Sequence, residues 1–308
     1  MKWKKLGLVF KDIKRNWWSQ SHAYIPTPIL LEDRVRVLVS FWDIDRRGRL
    51  GYVDLALDDI TRVIGVSKTP ALDLGDKDAF DCKGITPMSY VVRDGVIFLF
   101  YTGWGNHPEY PYTLLTGLAV SDNNGESFTR FSKKPILPPI KGEGCIRTAA
   151  FIDYIPEFDE YWLWYVGGED WFYADNKLTP TYDLRLVRSS SLYDWTHLNS
   201  TLVMESDVTK GEYAIGRPCV IRENGLFKLF YSSRRYNHGY RLGYAESIDG
   251  FDWRVKDHSL NFPISEIGWD SKMQCFSYIL PTATGTYMFY NGNEHGKQGF
   301  GIAELSND

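Results

Sequence analysis

Phe98-Leu-Phe-Tyr-Thr-Gly103 is a run of apolar and aromatic residues that ends in a tyrosine followed by small residues, as is typical of a buried β-strand. The same pattern recurs along the 308-residue chain. The further copies are Trp162–Gly167, Leu229–Ser233 and Met288–Gly292, with a degenerate copy at Val37–Trp42. The aligned tyrosines of the clear copies are Tyr101, Tyr165, Tyr231 and Tyr290. Their spacing of roughly 60 residues indicates a repeating unit of several strands.

Each copy of this strand has the same neighbours. Upstream lies another strand-like run, which in two copies ends in the hairpin dipeptides Asp94-Gly95 and Asn224-Gly225. Downstream lies a third strand, and in three copies a fourth strand carries an aromatic residue, Phe128, Trp195 or Trp253. Four strands in each of five copies predict an all-β fold, a five-bladed β-propeller that forms a single domain over residues 1–308.

The two ends of the sequence complement each other in this pattern. The last copy stops at Leu305 without a fourth strand, whereas Lys2–Leu8 resembles a fourth strand with no blade in front of it. If the N-terminal strand pairs into the last blade, the ring closes and no open sheet edge is left there. Helical periodicity with caps is almost absent, which excludes an α/β barrel.

Composition excludes several classes of function. The chain has 35 basic and 39 acidic residues and a formal charge of −4, so we expect neither a nucleic-acid nor a membrane partner. The N-terminal apolar stretch ends after five residues at Lys11, which is too short for a signal peptide. No apolar run approaches the ~20 residues of a membrane-spanning helix. The sequence therefore predicts a soluble, cytoplasmic protein.

Cysteines and short motifs give no indication of a cofactor. The four cysteines are widely separated and include no CxxC pair, so we expect free thiols rather than a disulfide framework or a zinc site. They are Cys82, Cys145, Cys219 and Cys275. No metal-ligand spacing, phosphate-binding loop or Ser-His-Asp motif is present. The expected cofactor and metal content is none.

The repeat, with the turn Ser247-Ile-Asp-Gly-Phe-Asp-Trp253, resembles the five-bladed propeller glycosidase superfamily. This superfamily contains arabinanases and xylosidases, invertases and levansucrases, and mannoside phosphorylases. Four segments are similar to a glycosidase-like bacterial branch that is often met among genes for surface polysaccharides: Ser21–Pro28, Asp81–Pro87, Glu212–Pro218 and Gly268–Met273. The resemblance covers essentially the whole chain and implies a carbohydrate substrate and a glycoside hydrolase-like activity.

The sequence departs from this superfamily at the catalytic motifs. In the well-studied families an Asp-Pro pair begins the innermost strand of the first blade, and its Asp is the base or nucleophile. Here Tyr24-Ile-Pro-Thr27 places Ile25 where that Asp would be. Later inner strands of the invertase-like and phosphorylase-like families begin Arg-Asp-Pro or Glu-Asp-Pro, whereas Arg147-Thr-Ala149 and Gly216-Arg-Pro218 lack the carboxylate. Either the catalytic carboxylates have moved or the chemistry differs.

Propeller topology brings the starts of the innermost strands to one end of a central channel, so residues at these starts should converge on a pocket. They are His22, Tyr24, Asp81, Lys83, Thr86, Glu143, Arg147, Glu212, Arg217, Asp270 and Lys272. Glycosidic cleavage needs an acid and a second carboxylate. We predict Glu212 as the acid, because burial beside Tyr213 would raise its pKa, and Asp270 or Asp81 as base or nucleophile.

The remaining candidates would bind substrate. Glu143 is a reserve carboxylate, and Arg147 and Arg217 could hold an anionic group, keep the carboxylates ionised or serve in packing. His22 could bind a hydroxyl or have a structural role. Trp42 and Trp104, at the ends of second strands, could form platforms for sugar rings.

Two further features belong to the same rim. Asp43 follows Trp42 and could bond sugar hydroxyls or pair with Arg46. The insertion Gly168–Asn176 is a candidate lid.

Three functions remain open at this point. The first is a glycoside hydrolase-like enzyme that uses Glu212 with Asp270 or Asp81. The second is a glycosyltransferase or glycoside phosphorylase of polysaccharide metabolism, in which arginines bind a phosphate. The third is a glycan-binding propeller without catalysis, favoured if no two carboxyl groups lie within about 5–9.5 Å of each other.

Overall fold

The computed structural model describes residues 1–11, 13–174, 176–236 and 238–306. Over these residues it is built almost entirely from β-strands, and its helical turns are short. They are the 3₁₀ turn Val208–Lys210 and the single-turn helices α1 (Asp257–Leu260) and α2 (Asn293–Gly296). The all-β class predicted from the repeat is confirmed.

The strands form consecutive antiparallel groups. The N-terminal strand β1 (Trp3–Phe10) is followed by β2 (Ser21–Leu30), β3 (Arg34–Trp42), β4 (Gly48–Ala56) and β5 (Val63–Val66). The second group is β6 (Gly84–Arg93), β7 (Val96–Gly105), β8 (Thr113–Ser121) and β9 (Thr129–Arg130). The third begins with β10 (Ile146–Ile155) and β11 (Glu160–Gly168), is interrupted by the hairpin β12 (Trp171–Ala174) and β13 (Lys177–Pro180), and ends with β14 (Asp183–Ser189) and β15 (Thr201–Met204).

Two more groups complete the described part of the protein. The fourth is β16 (Glu212–Glu223), β17 (Leu226–Arg235), β18 (Arg241–Ser247) and β19 (Arg254–Val255). The last is β20 (Cys275–Pro281), β21 (Thr286–Asn291) and β22 (Phe300–Leu305). The strand β1 pairs antiparallel with β22, from Trp3 opposite Leu305 to Phe10 opposite Phe300. Short parallel bridges between β4 and β6 and between β8 and β10 join the first three groups at their inner strands.

The tyrosine that recurs in four of the five second strands is a buried structural position. At no copy is more than 2% of the side chain exposed, because the ring packs beneath the adjacent third strand. Each phenol donates a hydrogen bond to a carboxylate, which satisfies a polar group that burial would otherwise leave without a partner. The pairs are Tyr101 with Asp81 (3.0 Å), Tyr165 with Glu143 (2.7 Å), Tyr231 with Asp257 (2.9 Å) and Tyr290 with Asp270 (3.1 Å).

Aromatic side chains fill the spaces between neighbouring groups. Trp3 of β1 meets Phe230 of β17 edge-on at 6.2 Å, and Phe10 meets Phe41 of β3 at 6.0 Å. Phe100 of β7 meets Trp195 at 6.2 Å. The sequence places Phe128, Trp195 and Trp253 on fourth strands, but in the structure they lie in the turns before those strands. The fourth strands themselves are short, so the aromatic rings, rather than the strand pairing, anchor these edges.

The cysteines and the described helices agree with two simpler expectations. Cys82, Cys145, Cys219 and Cys275 are free thiols, and all but Cys82 are buried. Among the described residues no helix has the length and apolarity needed to cross a membrane.

Candidate functional site

Each inner strand carries a β-bulge at the same point. The register of pairing shifts at Tyr24/Thr27, Pro87/Ser89, Thr148/Phe151, Gly216/Cys219 and Cys275/Tyr278. At four of these bulges a residue other than glycine adopts a left-handed backbone. They are Ile25 (φ 53°), Ala149 (φ 53°), Arg217 (φ 53°) and Phe276 (φ 60°). Such a conformation costs on the order of 1–3 kcal/mol, and strain of this kind clusters at ligand sites.

All of these bulges line one cavity. Ile25, Met88, Ala149, Arg217 and Phe276 contribute its wall, so the inner strands of every group converge there. We call this space the inner chamber; its volume is about 160 Å³. A chamber of this size accommodates a small group rather than an oligosaccharide.

A second space, the outer chamber, lies against the first. It has a volume of about 250 Å³ and is lined in part by Trp42. Tyr24, Thr86, Trp104 and Tyr112 belong to the walls of both chambers, so the two are contiguous. The Trp104 indole donates a hydrogen bond to Thr86 Oγ1 at 3.0 Å, which fixes the ring between the chambers.

The hairpin of β12 and β13 packs against a tyrosine that lines both chambers. Trp171 stacks on Tyr110 with ring centroids 4.7 Å apart and planes 6° from parallel, and it meets Tyr112 at 5.4 Å. The predicted lid segment, residues 168–176, includes this strand, while its residue 175 lies outside the described part of the protein. An aromatic cluster therefore adjoins the chamber wall at Tyr112.

Three tyrosines at equivalent positions form another part of the inner wall. Tyr112, Tyr182 and Tyr240 each directly precede the third strand of their group. Burial raises the pKa of Tyr112 to about 12 and that of Tyr240 well above its usual range. The phenols of Tyr112 and Tyr240 are thus neutral at physiological pH and can donate hydrogen bonds to a ligand.

Two arginines also line the inner chamber. Arg217 is 2% exposed. Its guanidinium donates to Met88 O, to Thr27 Oγ1 at 2.9 Å and to Pro26 O at 3.4 Å, and burial lowers its pKa to about 10. Arg234, on β17, lies over the rings of Tyr213 at 5.0 Å and Tyr240 at 5.4 Å and is 3.4 Å from the Tyr182 hydroxyl. The hydrogen bonds of Arg217 thus connect β16 with β2 and β6, which belong to three different groups.

Two histidines near the site are neutral. His22 is 9% exposed and stacks on Trp42 with ring centroids 3.8 Å apart. Burial, with a further contribution from His295, lowers the pKa of His22 to about 4. His295 has an exposed edge but lines the inner chamber. Withdrawal of its ring from water and the charge of Arg234 lower its pKa to about 4.

The predicted catalytic carboxylates lie in separate clusters, each with its own partners. Asp81 is fully buried and accepts hydrogen bonds from Tyr101 and, at 2.8 Å, from Arg130. Asp270 is 2% exposed and accepts from Lys5 at 2.8 Å and Gln274 at 3.0 Å. Burial opposes the charge of Asp270, but the bonds from Lys5, Ser265 and Gln274 outweigh it and hold its pKa below the usual range.

Glu212 and Glu143 are likewise paired. Glu212 is 4% exposed and accepts from Arg235 at 2.7 Å and from Ser233 at 2.8 Å. Glu143 accepts from Arg147 at 2.7 Å. Burial would raise its pKa, but bonds from Ser200 and Tyr165 and the Arg147 charge lower it overall.

Arg147 and Asp43 are also engaged within the protein. The guanidinium of Arg147 is 1% exposed and bonds Glu143, Pro138 O and Tyr165. Asp43 accepts from the backbone of Asp45 and Arg47 and pairs with the side chains of Arg47 and Arg49, rather than with Arg46. Its carboxylate therefore stabilises a turn at the rim.

Of the predicted site residues, the chambers bring together Tyr24, Trp42, Lys83, Thr86, Trp104 and Arg217. His22 lies behind Trp42, while Asp43, Asp81, Glu143, Arg147, Glu212 and Asp270 lie outside the lining. Among the residues that the structure describes, no Asp or Glu lines the inner chamber. The expected convergence of four carboxylates on one pocket is thus not what the structure shows.

The sequence analysis missed Arg234, Tyr182, Tyr240 and His295. Arg234 follows Tyr231 by three residues, as Trp104 follows Tyr101, so it occupies the rim position already singled out in the second group. Tyr182 and Tyr240 match Tyr112 in the same way. Extending the repeat by one position at each strand end would have found these three. No repeat signal exists for His295.

The protein is similar to known proteins in sequence and in structure. No family model matches the chain. In sequence it is similar to two uncharacterized proteins of Mycobacterium tuberculosis, MT1551 of strain CDC 1551 and Rv1502 of strain H37Rv. Their identities to this chain are 27% and 26% over 309 residues, and each alignment covers 100% of both proteins.

Solved structures show the same fold. The protein BT0996, described in a complex with RGII, matches with a TM-score of 0.76 at 17% identity, over 98% of this protein and 91% of that one. A glycosyl hydrolase from Bacteroides ovatus matches at 0.74 and 16%, over 99% and 94%. A structure described under the GH130 family of mannoside phosphorylases matches at 0.72 and 16%, over 99% and 94%. The resemblance to the propeller glycosidase superfamily is confirmed at the level of the fold.

Proposed function

We propose that this protein is a carbohydrate-active protein that binds a sugar in the inner and outer chambers. The observation that carries this proposal is the convergence of every inner-strand bulge on one cavity, which is contiguous with a second chamber lined by Trp42 and Trp104. Sugar rings present apolar faces that pack on indole and phenol rings, and their hydroxyls bond neutral phenol and threonine groups. Trp104 and Thr86, which belong to both chambers, are placed for these two kinds of contact.

The proposal includes the architecture. We propose one domain over residues 1–308, arranged as a five-bladed ring that β1 closes through its pairing with β22. The successive antiparallel groups and the β1–β22 register support it. Such a ring explains why residues distant in sequence meet at one cavity.

Sugar binding can be tested with Trp104→Ala. Loss of the indole should weaken binding of the protein's sugar ligand by roughly ten-fold or more, because a stacking platform and its hydrogen bond are removed together. Calorimetric titration with a panel of monosaccharides, including glucose, glucuronic acid and glucose 1-phosphate, measures this. Trp17→Ala is the matched control, since Trp17 is 62% exposed and does not line the chambers. Equal affinities of the two variants would contradict the proposal.

The fold favours hydrolysis of a glycosidic bond as a second candidate, because matched structures are described as glycoside hydrolases. In this version Glu212 is the acid and Asp270 or Asp81 the base or nucleophile. The ion pairs of these carboxylates support a structural role instead. Transfer to phosphate, the phosphorylase alternative, would be recognised by turnover that requires added phosphate.

A further inference from the structure

The charges around the inner chamber are unbalanced. Arg217 and Arg234 are both in its wall, and among the described residues neither has an ion pair with a carboxylate. By contrast, the nearby Arg147 and Arg235 pair with Glu143 and Glu212. Arg217 is thus the exception among the buried arginines near the inner strands, and the half-buried Arg234 also lacks a carboxylate partner among the described residues.

A buried guanidinium without an anion is costly unless something compensates it. Backbone and hydroxyl oxygens satisfy part of Arg217, but its Nε is buried without a hydrogen-bond acceptor. The Nε of Arg234 is also buried without one, and this side chain otherwise lies on tyrosine rings. The Nε atoms of both arginines therefore lack a hydrogen-bond acceptor, and an acceptor that carries negative charge would suit them best.

The other residues of the inner-chamber wall also suit a negatively charged ligand. Tyr24, Tyr182 and Tyr240 present phenols, and Thr86, Thr102 and Thr148 present hydroxyls. Phenols and hydroxyls can donate to an anionic oxygen, whereas carboxylates, which would repel it, are absent from the described lining. The chamber volume of about 160 Å³ admits a charged substituent or a single small ring.

We propose that the inner chamber is a subsite for an anionic group carried by the sugar, either a carboxylate or a phosphate, with Arg217 and Arg234 as its ligands. This inference rests on the proposed function and adds the chemical class of its substrate. The outer chamber, which is lined by Trp42 and Trp104 and also by the charged side chains of Asp45, Arg46, Arg47 and Lys83, holds the rest of the sugar, and the charged group enters the inner chamber. The cost of burying Arg217, and of withdrawing the Nε of the half-buried Arg234 from water, is offset further when that group is bound.

The test uses calorimetric titration of the full-length protein with three probes: glucuronic acid, glucose 1-phosphate and glucose. We expect at least one anionic probe to bind about ten-fold or more tightly than glucose, and more weakly at about 0.5 M than at about 0.05 M salt. Arg234→Gln should weaken that probe roughly ten- to a hundred-fold. Arg254→Gln, an exposed arginine on β19, is the control and should bind as the parent protein does.

Arg234 is the better position for this test than Arg217, because Arg217 bonds the backbone of other groups and its loss can unfold the protein. Preference for glucose 1-phosphate with competition by inorganic phosphate identifies phosphate, and preference for glucuronic acid identifies a carboxylate. Equal binding of all three probes, unaffected by Arg234→Gln but lost in Trp104→Ala, overturns this inference and leaves the proposed function intact. Failure of every monosaccharide in the panel to bind overturns both.

Discussion

At the scale of single residues, the charged groups of this protein divide into two sets. The carboxylates at the strand starts, such as Asp81 and Asp270, are paired with cations and with the repeated tyrosines. The arginines of the inner chamber are not paired with carboxylates among the described residues. Acidic residues therefore hold the repeat together, while basic residues are left for a ligand.

Substitution of the carboxylates distinguishes these roles from catalysis. Glu212→Gln leaves Arg235, whose side chain is 29% exposed, without its counter-charge and weakens the hydrogen bonds that the buried carboxylate accepts, at a cost of about 1–3 kcal/mol. We expect a lower free energy of unfolding in denaturant titration, for Asp270→Asn as well. Glu126→Gln, at a side chain 61% exposed, is the control. Abolished glycosidase turnover with unchanged stability in both Glu212→Gln and Asp270→Asn would instead establish catalytic carboxylates.

The two histidines predict a pH dependence of stability. His22 has a pKa of about 4 in the folded protein, against 6.5 when exposed in the unfolded state. Between these values the unfolded state binds more protons, so stability is complete above pH ~6.5 and falls as the pH is lowered towards ~4. His295 acts in the same direction.

Thermal unfolding at a series of pH values measures this effect. His22→Gln should reduce the loss of Tm between pH ~6.5 and ~4, whereas His197→Gln, at an exposed side chain, should leave it unchanged. A slope in this window that is the same in both variants would contradict the assigned role of His22.

At the scale of elements, the repeat explains which strands and strand pairings could be predicted from the sequence. Apolar alternation and the recurring tyrosine predicted the antiparallel groups and the N-terminal strand as partner of the last one, because hydrophobic patterning is a local property. The bulges were not predicted, since Ile25, Ala149 and Phe276 are not residues that favour a left-handed backbone. The bulges decide which side chains face the cavity, so the carboxylates were placed wrongly relative to it.

Ala149→Gly tests the bulge on β10. Glycine adopts a positive φ without the steric cost that alanine carries, so the variant should gain up to about 1 kcal/mol of stability despite its greater freedom when unfolded. The neighbouring Ala150 is buried in the same strand outside the left-handed position, and Ala150→Gly should lose about 1 kcal/mol. Equal destabilisation of the two in denaturant titration would show that no strain is stored at residue 149.

At the scale of the whole molecule, the protein combines a fold shared with glycoside hydrolases with a cavity of different chemistry. The positions that the superfamily resemblance associates with catalytic carboxylates read Ile25, Thr148 and Arg217 here, and these residues line the inner chamber. The cavity can be kept while the residues at the bulges change, because the bulges project from strands that the tyrosine and aromatic positions hold in place. Our central claim is that this cavity binds the charged part of a sugar.

A crystal structure of the protein soaked with glucuronic acid and, separately, with glucose 1-phosphate tests this claim most directly. We predict the carboxylate or phosphate oxygens in the inner chamber at about 2.7–3.2 Å from the guanidinium nitrogens of Arg234 and Arg217, with the sugar ring against Trp104. Two results would contradict the claim. One is a sugar bound with its charged group facing solvent. The other is a sugar bound only at another place, for example in the separate surface pocket that Trp162 and Phe251 line.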